Sequence, residues 1–225
     1  MNMLSSVRGG WRPKTRFLRA AGVTVIALLV TAGAAGQFLN YGLDLHAGVL
    51  DASGDGGAFG VVGQVAVAST ALGALSLLSR LRLGVATTML PVLLTFLAID
   101  KILRLHDDLA NWRLYYVPIL LATVIALTLV ARRLPVPSRP LVGAGLAMLS
   151  MAFVIHLSAR RVLHRLGVVE DSWISQITGM AKHGSEVAGW LLITLALAIG
   201  HLELDTGRRA PRSKPTADLG SDGDR

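Results

Sequence analysis

The chain has no cysteine among its 225 residues, which excludes disulfides, thiolate metal centres and cysteine nucleophiles while leaving the redox compartment open. Charge is also scarce. Only 16% of residues are Asp, Glu, Lys or Arg, and only 5% are aromatic, against 52% apolar. A soluble domain of this size would show water a more charged surface, so the bilayer is the expected solvent. The signatures of common soluble chemistries are missing as well. There is no GxSxG elbow, phosphate-binding P-loop or Rossmann glycine pattern, and no HExxH or HxxxH that would set two metal ligands on one helical turn. Basic residues exceed acids by eight. They fall in short clusters between apolar runs, as in membrane topology signals, and so do not indicate nucleic-acid binding.

A hydrocarbon core of about 30 Å takes about 20 helical residues to cross. Six runs qualify, at about 17–39, 58–79, 83–100, 115–131, 141–157 and 186–202. The third has an alternative end at Asp108. The expected fold is therefore all-α: a polytopic bundle of six transmembrane helices over residues 17–202, with a basic leader at 1–16 and a polar tail at 203–225. The tail, rich in Pro, Gly, Ser and mixed charge, cannot bury enough surface to order itself. Ala32-Gly33-Ala34 resembles a signal-peptidase site, but the first run is long enough to span and is read as a retained helix.

Lys and Arg in short connections are held on the cytoplasmic side during insertion. With both termini inside, fifteen of the 22 basic residues are cytoplasmic and seven are not. Both termini are accordingly expected in the cytoplasm, and the location is the cell membrane. This topology puts His46, His106, His156, His164 and His183, and nine of the fourteen acids, on the extracytoplasmic side. The groups capable of chemistry are gathered at one face.

Three stretches carry that asymmetry. "AIDKILRLHDD", at 98–108, closes the third run with six charged or ionisable side chains. At 100° per residue, Asp100, Arg104 and Asp107 share an arc of about 60°, while His106 points about 120° away. Arg104 can pair with either acid. The stretch is either an ion-paired helix end or one wall of a site for a cation, proton or polar ligand. "GMAKHGSEVAGW", at 179–190, sets His183, Glu186 and Trp190 on one face of the last helix. Glu186 lies inside the apolar boundary, where an acid usually faces protein or water. Ser185 and Gly189 form a small-x-x-x-small pair that permits close helix approach. "FVIHLSARRVLHRLG", at 153–167, repeats His156, Arg160 and His164 every four residues, either as a third wall or as an interfacial extension. A divalent metal would need three converging ligands, which Asp100, His106, Asp107, His156, His183 and Glu186 could supply by type but not by any fixed spacing. No cofactor is identified. "DASGDG", at 51–56, matches half of a calcium loop, but position twelve is Val62, so it reads as a turn.

From Leu97 onward the chain resembles a group of uncharacterised bacterial, often actinobacterial, multi-pass proteins. Those have an acid shortly before an LHE or LHD motif and a final helix opening ExxGW. The matching positions are Asp100, Leu105-His106-Asp107 and Glu186-Val187-Ala188-Gly189-Trp190. Lys101, Asp107 and His183 depart from that pattern. The resemblance implies a membrane location and a polar site, and brings no activity with it.

The expected partners are the lipid bilayer and a small molecule or ion. Three functions fit: a small transporter-like or ligand-sensing bundle with an extracytoplasmic cavity, a membrane-embedded metal-dependent hydrolase of lipid-like substrates, or a non-catalytic accessory subunit.

Overall fold

The computed structural model describes residues 13–45, 47–51, 57–81, 84–105, 109–168 and 172–209. Six helices, each long and apolar enough to span a bilayer, account for almost all of them: α1 (Pro13–Gly42), α2 (Ala58–Leu77), α3 (Val85–Leu103), α4 (Trp112–Arg133), α5 (Arg139–Arg165) and α6 (Trp173–Arg209). A single 3-10 turn, Gly48–Leu50, follows α1. In hydrocarbon every backbone N–H and C=O must bond within the protein, and helices satisfy that requirement by themselves. The chain folds as an integral membrane protein would, with a six-helix bundle and no strand among the described residues.

Helices α2 to α6 close a ring in chain order, with α6 returning to pack along α2, and α1 lies outside the ring against α6. Only 6% of the spanning window of α1 is buried. Its Val25, Leu28 and Phe38 are exposed, as expected of side chains that face lipid. The ring is filled by Leu90 and Leu94 of α3, Leu127 of α4, Ala66 and Val67 of α2, and Ile193, Ala196 and Leu197 of α6, all nearly inaccessible.

Lipid tails are as apolar as leucine, so close packing and hydrogen bonds, rather than the hydrophobic effect, must hold these helices together. The closest approach is between α5 and α6. A Cβ built on Gly145 would come within 2.8 Å of the Gly189 carbonyl oxygen, and one on Gly189 within 2.9 Å of the Gly145 carbonyl oxygen. Only glycine at both positions lets the backbones meet. Along α2, Thr70 Oγ1 and Thr194 Oγ1 of α6 are 2.7 Å apart, one hydroxyl donating to the other, and each lies within hydrogen-bonding distance of a carbonyl in its own helix. At the far end of α1, Gln37 donates to Gln176 of α6 at 2.6 Å, and Phe38 and Tyr41 pack on Trp173.

Several ends differ from the sequence reading. Helix α6 starts at Trp173, thirteen residues before Glu186, and continues past Leu202 to Arg209. Its polar first turns are held by the Gln37–Gln176 bond and the aromatic stack, and its last turns by an Arg80–Asp205 ion pair at 2.8 Å. Helix α5 likewise runs on to Arg165. Helix α3 instead stops at Leu103, where Arg104 takes a left-handed conformation with φ 55° and its N–H bonds back to the Asp100 carbonyl. A non-glycine residue there costs roughly 1–2 kcal/mol.

Candidate functional site

Helices α1 and α6 are antiparallel, Gly22 lying by Leu195 and Gln37 by Gln176. Both chain ends therefore leave at one end of the bundle, here the terminal end, and the polar residues of interest collect at the other, the distal end. The last turn of α3 supplies two neighbouring ionisable residues. Consecutive positions on a helix point 100° apart, and these two reach different partners.

Asp100 turns toward α4. It is 6% exposed and accepts a 2.5 Å hydrogen bond from the Tyr116 hydroxyl. Tyr116 sits within a row of rings, with Phe96 on one side and Trp112 on the other, and Trp112 in turn touches the imidazole of His156 on α5. A carboxylate taken out of water needs such a donor, since burial without one costs several kcal/mol.

Lys101 turns the other way, across α2 to α6. Its Nζ lies 3.1 Å from Oε1 and 3.2 Å from Oε2 of Glu186, so the ammonium sits on both oxygens. The stem passes over Gly63, where a Cβ would be 3.8 Å from Lys101 Cε. The Lys101 carbonyl lies 3.5 Å from Gln64 Nε2. One turn before Glu186, His183 is 4% exposed and places Nδ1 3.9 Å from Glu186 Oε2. Lys101 and Glu186 keep about a fifth of their side-chain surface accessible, at 20% and 22%. The bundle thus covers most, but not all, of the pair.

The sequence places Asp100, Arg104 and Asp107 on one helical arc; α3 ends at Leu103 and Arg104 is left-handed, so Arg104 does not continue the helical face that bears Asp100. His106 and Asp107 lie outside the described residues, as do residues 52–56 of the DASGDG turn. Beside Glu186 the neighbouring helix is α2, while the α5 stretch is placed by the Trp112 contact of His156. His156 is exposed and meets Trp112, not Glu186, while Gly63 and Gln64 line the Lys101–Glu186 pair. Sequence reasoning gave Lys101 and Tyr116 no place in the site. A lysine one turn from a helix end ordinarily reads as an interfacial cation, and a tyrosine as part of the aromatic belt. Among the described residues, no three His, Asp or Glu side chains gather closely enough to hold a metal ion. Ser185 donates to the Ala181 carbonyl of its own helix, so it does not form a nucleophile pair with His183.

Comparison with protein-family models, curated proteins and solved structures finds no match to any of them.

Proposed function

We propose that the protein is a small transporter-like or ligand-sensing membrane bundle in which Glu186 exchanges its internal counter-ion, Lys101, for an external cation, the proton included. The observation that carries this is the bidentate Lys101–Glu186 pair, half-buried in the distal part of the bundle beside buried His183. Such a pair has little to offer stability alone, because the loss of hydration offsets most of the attraction. It does give a carboxylate two states: neutralised by a tethered ammonium, or released to bind something else. Ionisable groups held at membrane depth and turned toward protein are by default markers of ion or substrate handling. The distribution of Lys and Arg supports a cytoplasmic location for both termini and hence an extracytoplasmic opening for this site; a cell-membrane location belongs to the same proposal. A metal-dependent hydrolase is less favoured, as it requires three converging donors.

Proteoliposomes loaded with a pH-indicating dye, under a potassium diffusion potential, test the exchange. Wild-type protein is expected to pass protons faster than protein-free liposomes, and Glu186→Gln to fall to the protein-free rate. Equal flux in wild type and Glu186→Gln would contradict the assignment of Glu186, and no wild-type flux would remove the transport form of the proposal.

A further inference from the structure

Helix α6 carries a second histidine on the face that bears His183. His183 and His201 are 18 residues apart, which is five whole turns and about 27 Å of rise. The stripe between them faces α2: Val187 meets Gly63, Thr194 meets Thr70 and Leu197 meets Gly73. One turn beyond His201 on this stripe is Asp205, paired with Arg80 of α2 at 2.8 Å. The two ends of α6 thus repeat one arrangement: a histidine, an acid three or four residues later, and a cation from another helix on that acid. At the distal end these are His183, Glu186 and Lys101; at the terminal end, His201, Asp205 and Arg80.

A second observation singles out the terminal end. His201 Nδ1 is buried and makes no hydrogen bond, and neither does the hydroxyl of Ser138, which is 0% exposed. Ser138 abuts α6 at the residue before His201, its Oγ 3.6 Å from where a Cβ of Gly200 would lie. A buried polar atom without a partner costs about 1–3 kcal/mol, and native folds keep few of them. Other charged groups toward this end are Glu203 on α6, Arg132 and Arg133 in the last turn of α4, Arg139 of α5, whose Nε is committed to the Leu134 carbonyl, and Lys14, Arg16 and Arg19 on α1. Asp205, one turn beyond His201 on the helix, and the Ser138 hydroxyl, beside Gly200, are candidate acceptors for a charged imidazole at His201.

We propose that His201 is a second proton-binding site, at the terminal end of the bundle, so that α6 bears a protonatable histidine-acid-cation group at each boundary of the membrane. The residues between them, Val187, Trp190 and Leu197, are buried and apolar apart from the Thr70–Thr194 clasp. Among the described residues the Thr70–Thr194 hydrogen bond stands between the two sites without reaching either ion pair. The proposal goes beyond the exchange at Glu186 and stands independently of it.

The test is a pH titration by NMR of the full chain in lipid nanodiscs with nitrogen-15 in its six histidines. His201→Gln removes one signal and so assigns it; if that variant does not fold, Ser138→Ala assigns it by perturbing its neighbour. As the nanodiscs are acidified across a range of pH, the His201 signal is expected to move from the neutral to the protonated nitrogen-15 shift, and Asp205→Asn to displace that change. Failure of Glu186→Gln to alter proton flux leaves this expectation unchanged. A His201 signal that stays constant over the range, or whose titration Asp205→Asn does not alter, overturns the proposal.

Discussion

Glu186→Gln is expected to lower the unfolding free energy by about 2 kcal/mol, between the values typical of exposed pairs and of buried ones. The substitution keeps the side chain's shape and removes its charge, leaving the Lys101 ammonium against Gly63 with its countercharge gone. Most of the loss comes from that stranded cation, not from the attraction itself. The companion variants should therefore behave differently. Exchanging the two residues, Lys101→Glu with Glu186→Lys, restores opposite charges across the α3–α6 gap and should recover most of the stability. Replacing both by apolar residues, Lys101→Met with Glu186→Leu, should be close to neutral in stability yet lack the proton flux ascribed to Glu186. Reversible unfolding in lipid or mild detergent reads the first three, and the flux assay separates the last. An apolar pair as destabilised as Glu186→Gln would show that the pair's role is structural attraction.

The largest expected loss of stability lies elsewhere, at Gly189. A Cβ there meets the Gly145 carbonyl oxygen at 2.9 Å and Leu149 Cγ at 2.7 Å, and the backbone cannot yield as the end of a flexible side chain could. Gly189→Val should cost about 3 kcal/mol or more, at the upper end of overpacking penalties, by prising α5 from α6. The stretch of α6 that loses its support holds both Glu186 and Trp190, so the distal site would be deformed as well. Gly63 is the control. Its Cβ would find ordinary contact distances, 3.6 Å to Val187 and 3.8 Å to Lys101, and Gly63→Ala should leave stability within about 0.5 kcal/mol of wild type. Unfolding of both variants under the same conditions makes the comparison.

The membrane character and the number of spans were legible because each span is a continuous apolar run. That signal depends on length and composition and on no partner. Helix ends were less legible. The turns from Trp173 to Lys182 contain Ser, Gln, Thr and Lys, which lower the hydropathy, and they are helical because Gln37 and the rings of α1 hold them. Tertiary contacts supplied what the local sequence did not. The stop after Leu103 has no glycine or proline to announce it, and Arg104 takes a conformation that a reader of sequence would assign elsewhere. For the site, periodicity was enough to put His183, Glu186 and Trp190 on one face of α6. It could not reveal that Lys101, 85 positions away, crosses α2 to reach Glu186, or that Asp100 faces Tyr116. Those pairings depend on which helices are neighbours. Nothing in the sequence marks His201, because a histidine near a basic helix end carries no local sign that its Nδ1 is covered.

The candidate site requires α3 and α6 to meet at Lys101 and Glu186, and the absence of cysteine permits a direct test without background. Lys101→Cys with Glu186→Cys, treated in native membranes with a short bis-methanethiosulfonate reagent, should give an internally cross-linked monomer of altered gel mobility that reductant reverses. Gln37→Cys with Gln176→Cys serves as the positive reference, since those side chains touch at 2.6 Å. Cross-linking of the reference pair without cross-linking of the 101–186 pair would contradict the site.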